Sequence, residues 1–83
     1  MYIAYDERGD LLNVRLRLHV STPEAREFSG ERFVEYDNDG PVAIEFLHAS
    51  EGIDLDGMPE ADAIAQALQR MSHMLATGVR QPA

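Results

Sequence analysis

The chain has 83 residues, fifteen acidic against seven basic side chains, a net charge of −8 and no cysteine. That length allows one domain, and the missing cysteines exclude disulfide staples and thiolate zinc sites. The acidity disfavours nucleic-acid binding, which needs clustered Lys and Arg against phosphate.

In chain order, Tyr2 to Tyr5 reads as a short strand, closed by the polar loop Asp6-Glu7-Arg8-Gly9-Asp10. Leu11 to Leu18 follows, where Leu12, Val14, Leu16 and Leu18 alternate with Asn13, Arg15 and Arg17. Period two means a strand with one buried and one wet face. Thr22-Pro23-Glu24 has the form of a helix start. Glu24 to Phe28 reads equally as a short charged edge strand, guarded against edge-to-edge pairing, and strand or irregular loop is the preferred reading.

Arg32 to Leu47 is the centre of the chain. Two arms flank Asp37-Asn38-Asp39-Gly40, residues that form tight turns. Val34 and Tyr36 share a face of the first arm, and Val42, Ile44 and Phe46 share a face of the second. Pro41 lacks an N–H and suits a strand start or edge. Residues 51–58 form a connector in which Ile53 and Leu55 point to the core. A helix is expected over 59–77, with Pro59 in its first turn and Glu60 and Asp62 at the positive end of its dipole. Ile64, Leu68, Met71 and Leu75 make its apolar stripe. Gly78 is placed to stop it, and 78–83 is a tail.

Together these elements predict a single α+β domain. It is an antiparallel, meander-like sheet of four strands, or five with Glu24–Phe28, and one C-terminal helix packed on one face. Asn13, Arg15, Arg17, Glu35 and Glu45 fall on the other face, where cross-strand Arg–Glu pairs are expected, each worth about 0.2–1 kcal/mol.

Few residues carry chemistry. Asp37-Asn38-Asp39-Gly40 resembles the opening of a calcium loop, but an EF-hand has Gly at its sixth position, Glu at its twelfth and flanking helices; a hairpin turn explains the residues. His19, His48 and His73 sit on three elements with no metal-ligand spacing. Glu45, His48 and Ser50 could be drawn as a nucleophile, base and orienter, yet no activating motif surrounds them. Asp54 and Asp56 read as the wet side of an extended segment. Met58, Met71 and Met74 could mark an adaptable surface or fill a core. No glycine-rich phosphate loop occurs. The residues therefore point away from an enzyme and imply no cofactor or metal.

The run Tyr5-Asp6, then Asp10-Leu11-Leu12-Asn13-Val14-Arg15-Leu16, then Val34-Glu35-Tyr36-Asp37-Asn38-Asp39-Gly40, then Val42-Ala43-Ile44-Glu45-Phe46-Leu47-His48-Ala49-Ser50 resembles a family of small bacterial proteins. That family is catalogued as domain of unknown function 2283. The likeness covers Tyr5 to Ser50. Asn13 departs from it where an aromatic is common, and Ala43 where Gly is common. The resemblance implies a strand over the segment matching Glu24 to Phe28 and a C-terminal helix as an addition found in some members. It implies no activity. Some members look like partners of small toxin-like proteins encoded in paired operons.

The expectation is a non-enzymatic, self-associating module, most simply a homodimer, since small chains gain stability by oligomerising. It would bind a protein partner encoded nearby in the manner of an antitoxin, acidic surface against basic partner. No apolar run reaches the roughly 20 residues of a membrane span, and no signal-peptide pattern opens the chain, so a cytoplasmic setting is expected. The alternative is a small-ligand or metal-binding module built on the acidic turns. Its candidate residues are Asp6, Asp10, Asp37 and Asp39, with Glu45 and His48 beside them.

Overall fold

The computed structural model describes residues 1–18, 25–71 and 79–80. His19, the Thr22-Pro23-Glu24 helix start, His73, Met74, Leu75 and Gly78 lie outside them. The chain forms two compact units, Met1–Leu47 and His48–Ala83.

The first unit is a five-stranded antiparallel sheet. Its strands are β1 (Tyr2–Asp6), β2 (Leu11–Arg15), β3 (Ala25–Ser29), β4 (Arg32–Asp37) and β5 (Gly40–Leu47), in the order β1-β2-β5-β4-β3. Sequential strands are neighbours at β1–β2, β3–β4 and β4–β5. Strands β2 and β3 are not neighbours: β3 is at the far edge, and β2 pairs with β5. The register lines up cross-strand rows. Ile3, Val14, Ile44, Val34 and Glu27 make one row, and Tyr5, Leu12, Phe46, Arg32 and Ser29 make the next on the same face. Leu12, Val14, Val34, Val42, Ile44 and Phe46 are buried, each worth about 1.5–3 kcal/mol. The alternation in β2 and β5 produces this, because residues two apart share a face.

Both hairpin turns next to β4 are set by glycine. Ser29 pairs with Arg32, leaving Gly30 and Glu31 as a two-residue loop, and Gly30 has φ 61° at the first central position. That is the position a type II′ turn gives to glycine. Between β4 and β5, Asp37 pairs with Gly40, whose φ is 119°. The register then slips: Tyr36 faces Pro41 while Glu35 faces Ala43, so Val42 is the extra residue of a β-bulge.

Strand β2 is shorter than its pattern predicts. It ends at Arg15, Leu16 makes one more ladder bond (N–H to Val42 O, 2.7 Å), and Leu18 is 81% exposed. The partner strand β5 continues to Gly40, but the β2–β5 ladder stops where Leu16 meets Val42, the bulged residue of β5.

The second unit contains a 3-10 turn (Ala49–Glu51), β6 (Ile53–Asp54), α1 (Ala61–Arg70) and β7 (Val79–Arg80). Its buried residues include Ala49, Ile53, Leu55, Ile64, Ala65 and Leu68. The expected connector supplies β6, and Val79–Arg80, expected in the tail, pairs with it in parallel. Of the expected 59–77, α1 covers Ala61–Arg70, and 72–77 lie outside the described residues. Glu60 holds φ 54°, left-handed backbone, so helical geometry begins only at Ala61. At the other end Met71 is extended and its N–H bonds Leu68 O at 3.2 Å, closing the last turn. Ile64 and Leu68 form the buried stripe as the spacing predicts, whereas Met71 lies past the helix. Asp62 in the first turn and Arg70 in the last suit the macrodipole. No helix among the described residues is long and apolar enough to cross a membrane.

Candidate functional site

The β4–β5 turn is organised by Arg17, two residues past the end of β2. Asp37 has a side chain 1% exposed, and its Oδ1 accepts the Asp39 N–H at 2.8 Å, an Asx turn. The Arg17 guanidinium donates to that same oxygen, to Gly40 O at 2.9 Å and to Pro41 O at 3.2 Å. Its second terminal nitrogen stands 3.9 Å from the Asp39 carboxylate, which is 83% exposed. A planar fork with five donors suits this set; a lysine could not reach them all. The hydrogen bond to Asp37 makes the Arg17 proton still harder to remove. Arg17 therefore does not join Arg–Glu pairs on the sheet face as expected. It clamps a turn, because the chain leaves the ladder at Leu16.

The β1–β2 loop is built likewise from its own acids. Asp6 Oδ1 accepts the Arg8 N–H at 3.0 Å, and Asp10 Oδ1 accepts the Tyr5 hydroxyl at 2.7 Å. Asp10 takes φ 52°, a conformation Asp tolerates better than most side chains. The Tyr5 phenol is raised above its ordinary pKa, first by the hydrogen bond to Asp10 and then by burial.

These two turns are at opposite ends of the sheet. Leu11, next to the first, pairs with Leu47, and Gly40 begins β5 at the second. Eight residues of β5 separate them, roughly 23 Å at about 3.3 Å per residue. Asp6 and Asp10 therefore cannot share a ligand ion with Asp37 and Asp39. Among the described residues no three His, Asp or Glu side chains converge to hold a metal ion.

Glu45 lies on the outward sheet face and accepts from Arg26 at 3.1 Å, while Arg26 Nε is 3.6 Å from Glu35. The expected Arg–Glu pairing is present, with Arg26 from β3 as the arginine. Arg26 also stacks 4.5 Å over the Phe33 ring, which packs against Phe28 with centroids 4.5 Å apart. On the other side of β3, Glu27 accepts the Tyr36 hydroxyl at 2.7 Å, which raises the Tyr36 pKa. His48 is exposed, with left-handed backbone (φ 52°), and starts the 3-10 turn by accepting the Glu51 N–H at 3.0 Å. Ser50 is within that turn, so the strand spacing that would align it with His48 does not apply. Asp54 caps its own turn through the Asp56 N–H at 3.0 Å.

The sequence-based candidates are thus dispersed over two turns, one sheet face and one 3-10 turn. Arg17 holds Asp37, Arg26 holds Glu45 and Tyr5 holds Asp10, and none of the three announces that role by spacing. Two aromatics are among the exposed side chains, and the later part of the chain is poor in bases. Tyr2 is 61% and Phe28 62% exposed, and no Lys or Arg occurs between Arg32 and Arg70. Comparison with protein-family models, with characterised proteins and with solved structures gave no match.

Proposed function

We propose that this chain is a non-enzymatic protein-interaction module that associates with itself and serves as the acidic partner of a basic protein, in the manner of an antitoxin. One observation carries the reading. The carboxylates best placed for chemistry are bonded to the protein's own backbone, arginines and tyrosine, while Tyr2 and Phe28 remain more than half exposed. Exposed aromatics are common anchors of protein interfaces. An arginine- and lysine-free run from Phe33 to Gln69 in a chain of net charge −8 favours a basic counterpart and repels other acidic ones.

Light scattering tests the first half. A 9.3 kDa chain should elute at twice its mass at micromolar concentration, and a strict monomer would retire self-association. Co-expression with the neighbouring gene's product, followed by pull-down on one tag, tests the second half. Failure of a basic neighbour to co-purify at low salt counts against the partner.

A further inference from the structure

The two edges of the sheet are chemically unlike. At β3 the core-side rows end in Glu27 and Ser29, preceded in the second row by Arg32. The outward side of β3 carries Arg26 in its network with Glu35 and Glu45. Charge of this kind blocks strand addition. At β1 the same rows end in Ile3 and Tyr5. Their neighbours Val14 and Leu12 are 0% exposed, yet Ile3 and Tyr5 are only half-buried. From Tyr2 to Tyr5 the strand has no charge, no proline and no glycine, and no strand among the described residues pairs with its outer side.

We infer that β1 is the self-association interface: it pairs antiparallel with β1 of a second copy about a two-fold axis through Ala4, giving one ten-stranded sheet. This rests on the self-association reading above. A two-fold axis normal to the sheet keeps both apolar faces on one side, so paired positions share parity. Centring on Ala4 pairs the whole of β1. Ile3 then faces Tyr5 of the second copy, continuing both apolar rows. Tyr2 faces Asp6, the only charge on the strand, so no like charges oppose. The centre in which Phe28 or Glu27 of β3 meets itself would lie on the guarded edge, and the second sets two carboxylates face to face.

Cysteine crosslinking reads this directly, because the chain has no thiol of its own. Opposed residues in an antiparallel pair have Cα atoms about 4.5–5.5 Å apart, inside the range a disulfide spans. Ala4→Cys should crosslink into a covalent dimer under mild oxidant, and Phe28→Cys should not. Tyr2 is exposed and lies opposite Arg15 across β1–β2, so the monomer's own stability is measured for both variants and the dimer constants are compared at a pH and temperature where each is fully folded. Tyr2→Glu, set against Asp6 in two symmetric pairs, should weaken the dimer by about tenfold, and Tyr2→Arg should hold or tighten it. A wild-type chain that is monomeric overturns self-association and this interface together. A wild-type dimer whose Ala4→Cys form stays uncrosslinked, with Tyr2→Glu and Tyr2→Arg dimerising alike, overturns the β1 interface and leaves self-association standing.

Discussion

The Arg17 guanidinium donates to the Asp37 carboxylate across twenty positions of sequence, and the same oxygen caps the Asp39 N–H. A turn that reads locally as Asp-Asn-Asp-Gly is therefore a tertiary feature. It fastens the end of β2 to the start of β5.

The two turn acids should consequently behave differently. Asp37→Ala leaves the Asp39 N–H without its cap and removes the buried anion from the arginine fork, at about 1–3 kcal/mol. Asp39→Ala should fall within about 0.5 kcal/mol of wild type, since its carboxylate is 83% exposed and 3.9 Å from the guanidinium. Urea midpoints at neutral pH decide this, and equal losses at the two positions would contradict the clamp. Arg17→Lys should also destabilise, because one ammonium cannot serve a carboxylate and two carbonyls at once.

Both hydrogen-bonded tyrosines make stability fall in alkali. Tyr5 and Tyr36 donate to Asp10 and Glu27, and each phenol is raised above the ordinary value of 10.0. A raised folded pKa means the folded state holds its proton longer than the unfolded chain does. The contribution is therefore complete below pH 10.0 and is lost as pH climbs through the raised folded values. Denaturant midpoints should decline above pH 10.0, and the double variant Tyr5→Phe, Tyr36→Phe should show a shallower decline. An unchanged slope in the double variant would mean these bonds do not persist in solution.

The end of β2 separates pattern from packing. Leu18 continues the apolar alternation of Leu12 and Val14 but is 81% exposed, while Ile44 is 0% exposed. Ile44→Ala should destabilise by about 2–5 kcal/mol, whereas Leu18→Ser should change stability by no more than about 0.5 kcal/mol. Thermal unfolding of the two variants is enough. A large loss at Leu18 would extend β2's buried face past Arg15.

That contrast also shows what was legible beforehand. Period two in β2 and β5, and the Asp37–Gly40 turn, are local signals, and each named its element correctly. The residues of β3 (Ala25–Ser29) left strand and irregular loop both open, because Ala and Glu carry little strand preference and its pairing with β4 is a tertiary choice. Long-range choices were not legible. Nothing in Leu16–Leu18 marks where the chain leaves the ladder, because that point lies opposite the Val42 bulge of another strand. The partnership of β2 with β5 depends on where the 16–24 connection leads. Arg26 rather than Arg15 pairs with Glu45 because β3 lies against β4, and Glu60's left-handed backbone shortens a helix whose composition favours an earlier start. The candidate acids were visible as acids, but their arginine and tyrosine partners are far away in sequence or carry no motif.

Salt should move the two proposed associations in opposite directions. Two copies at −8 each repel, while the β1 contact between them is mainly uncharged. Raising sodium chloride from about 0.1 M to about 1 M shortens the Debye length from about 10 Å to about 3 Å, so the homodimer should tighten. A complex with a basic partner is drawn together by the same charge and should loosen, chiefly through slower association. Sedimentation velocity of the chain alone, and of the co-purified complex, across that range measures both. A homodimer that dissociates as salt rises would mean that ion pairs, and not the Tyr2–Tyr5 edge, hold it together.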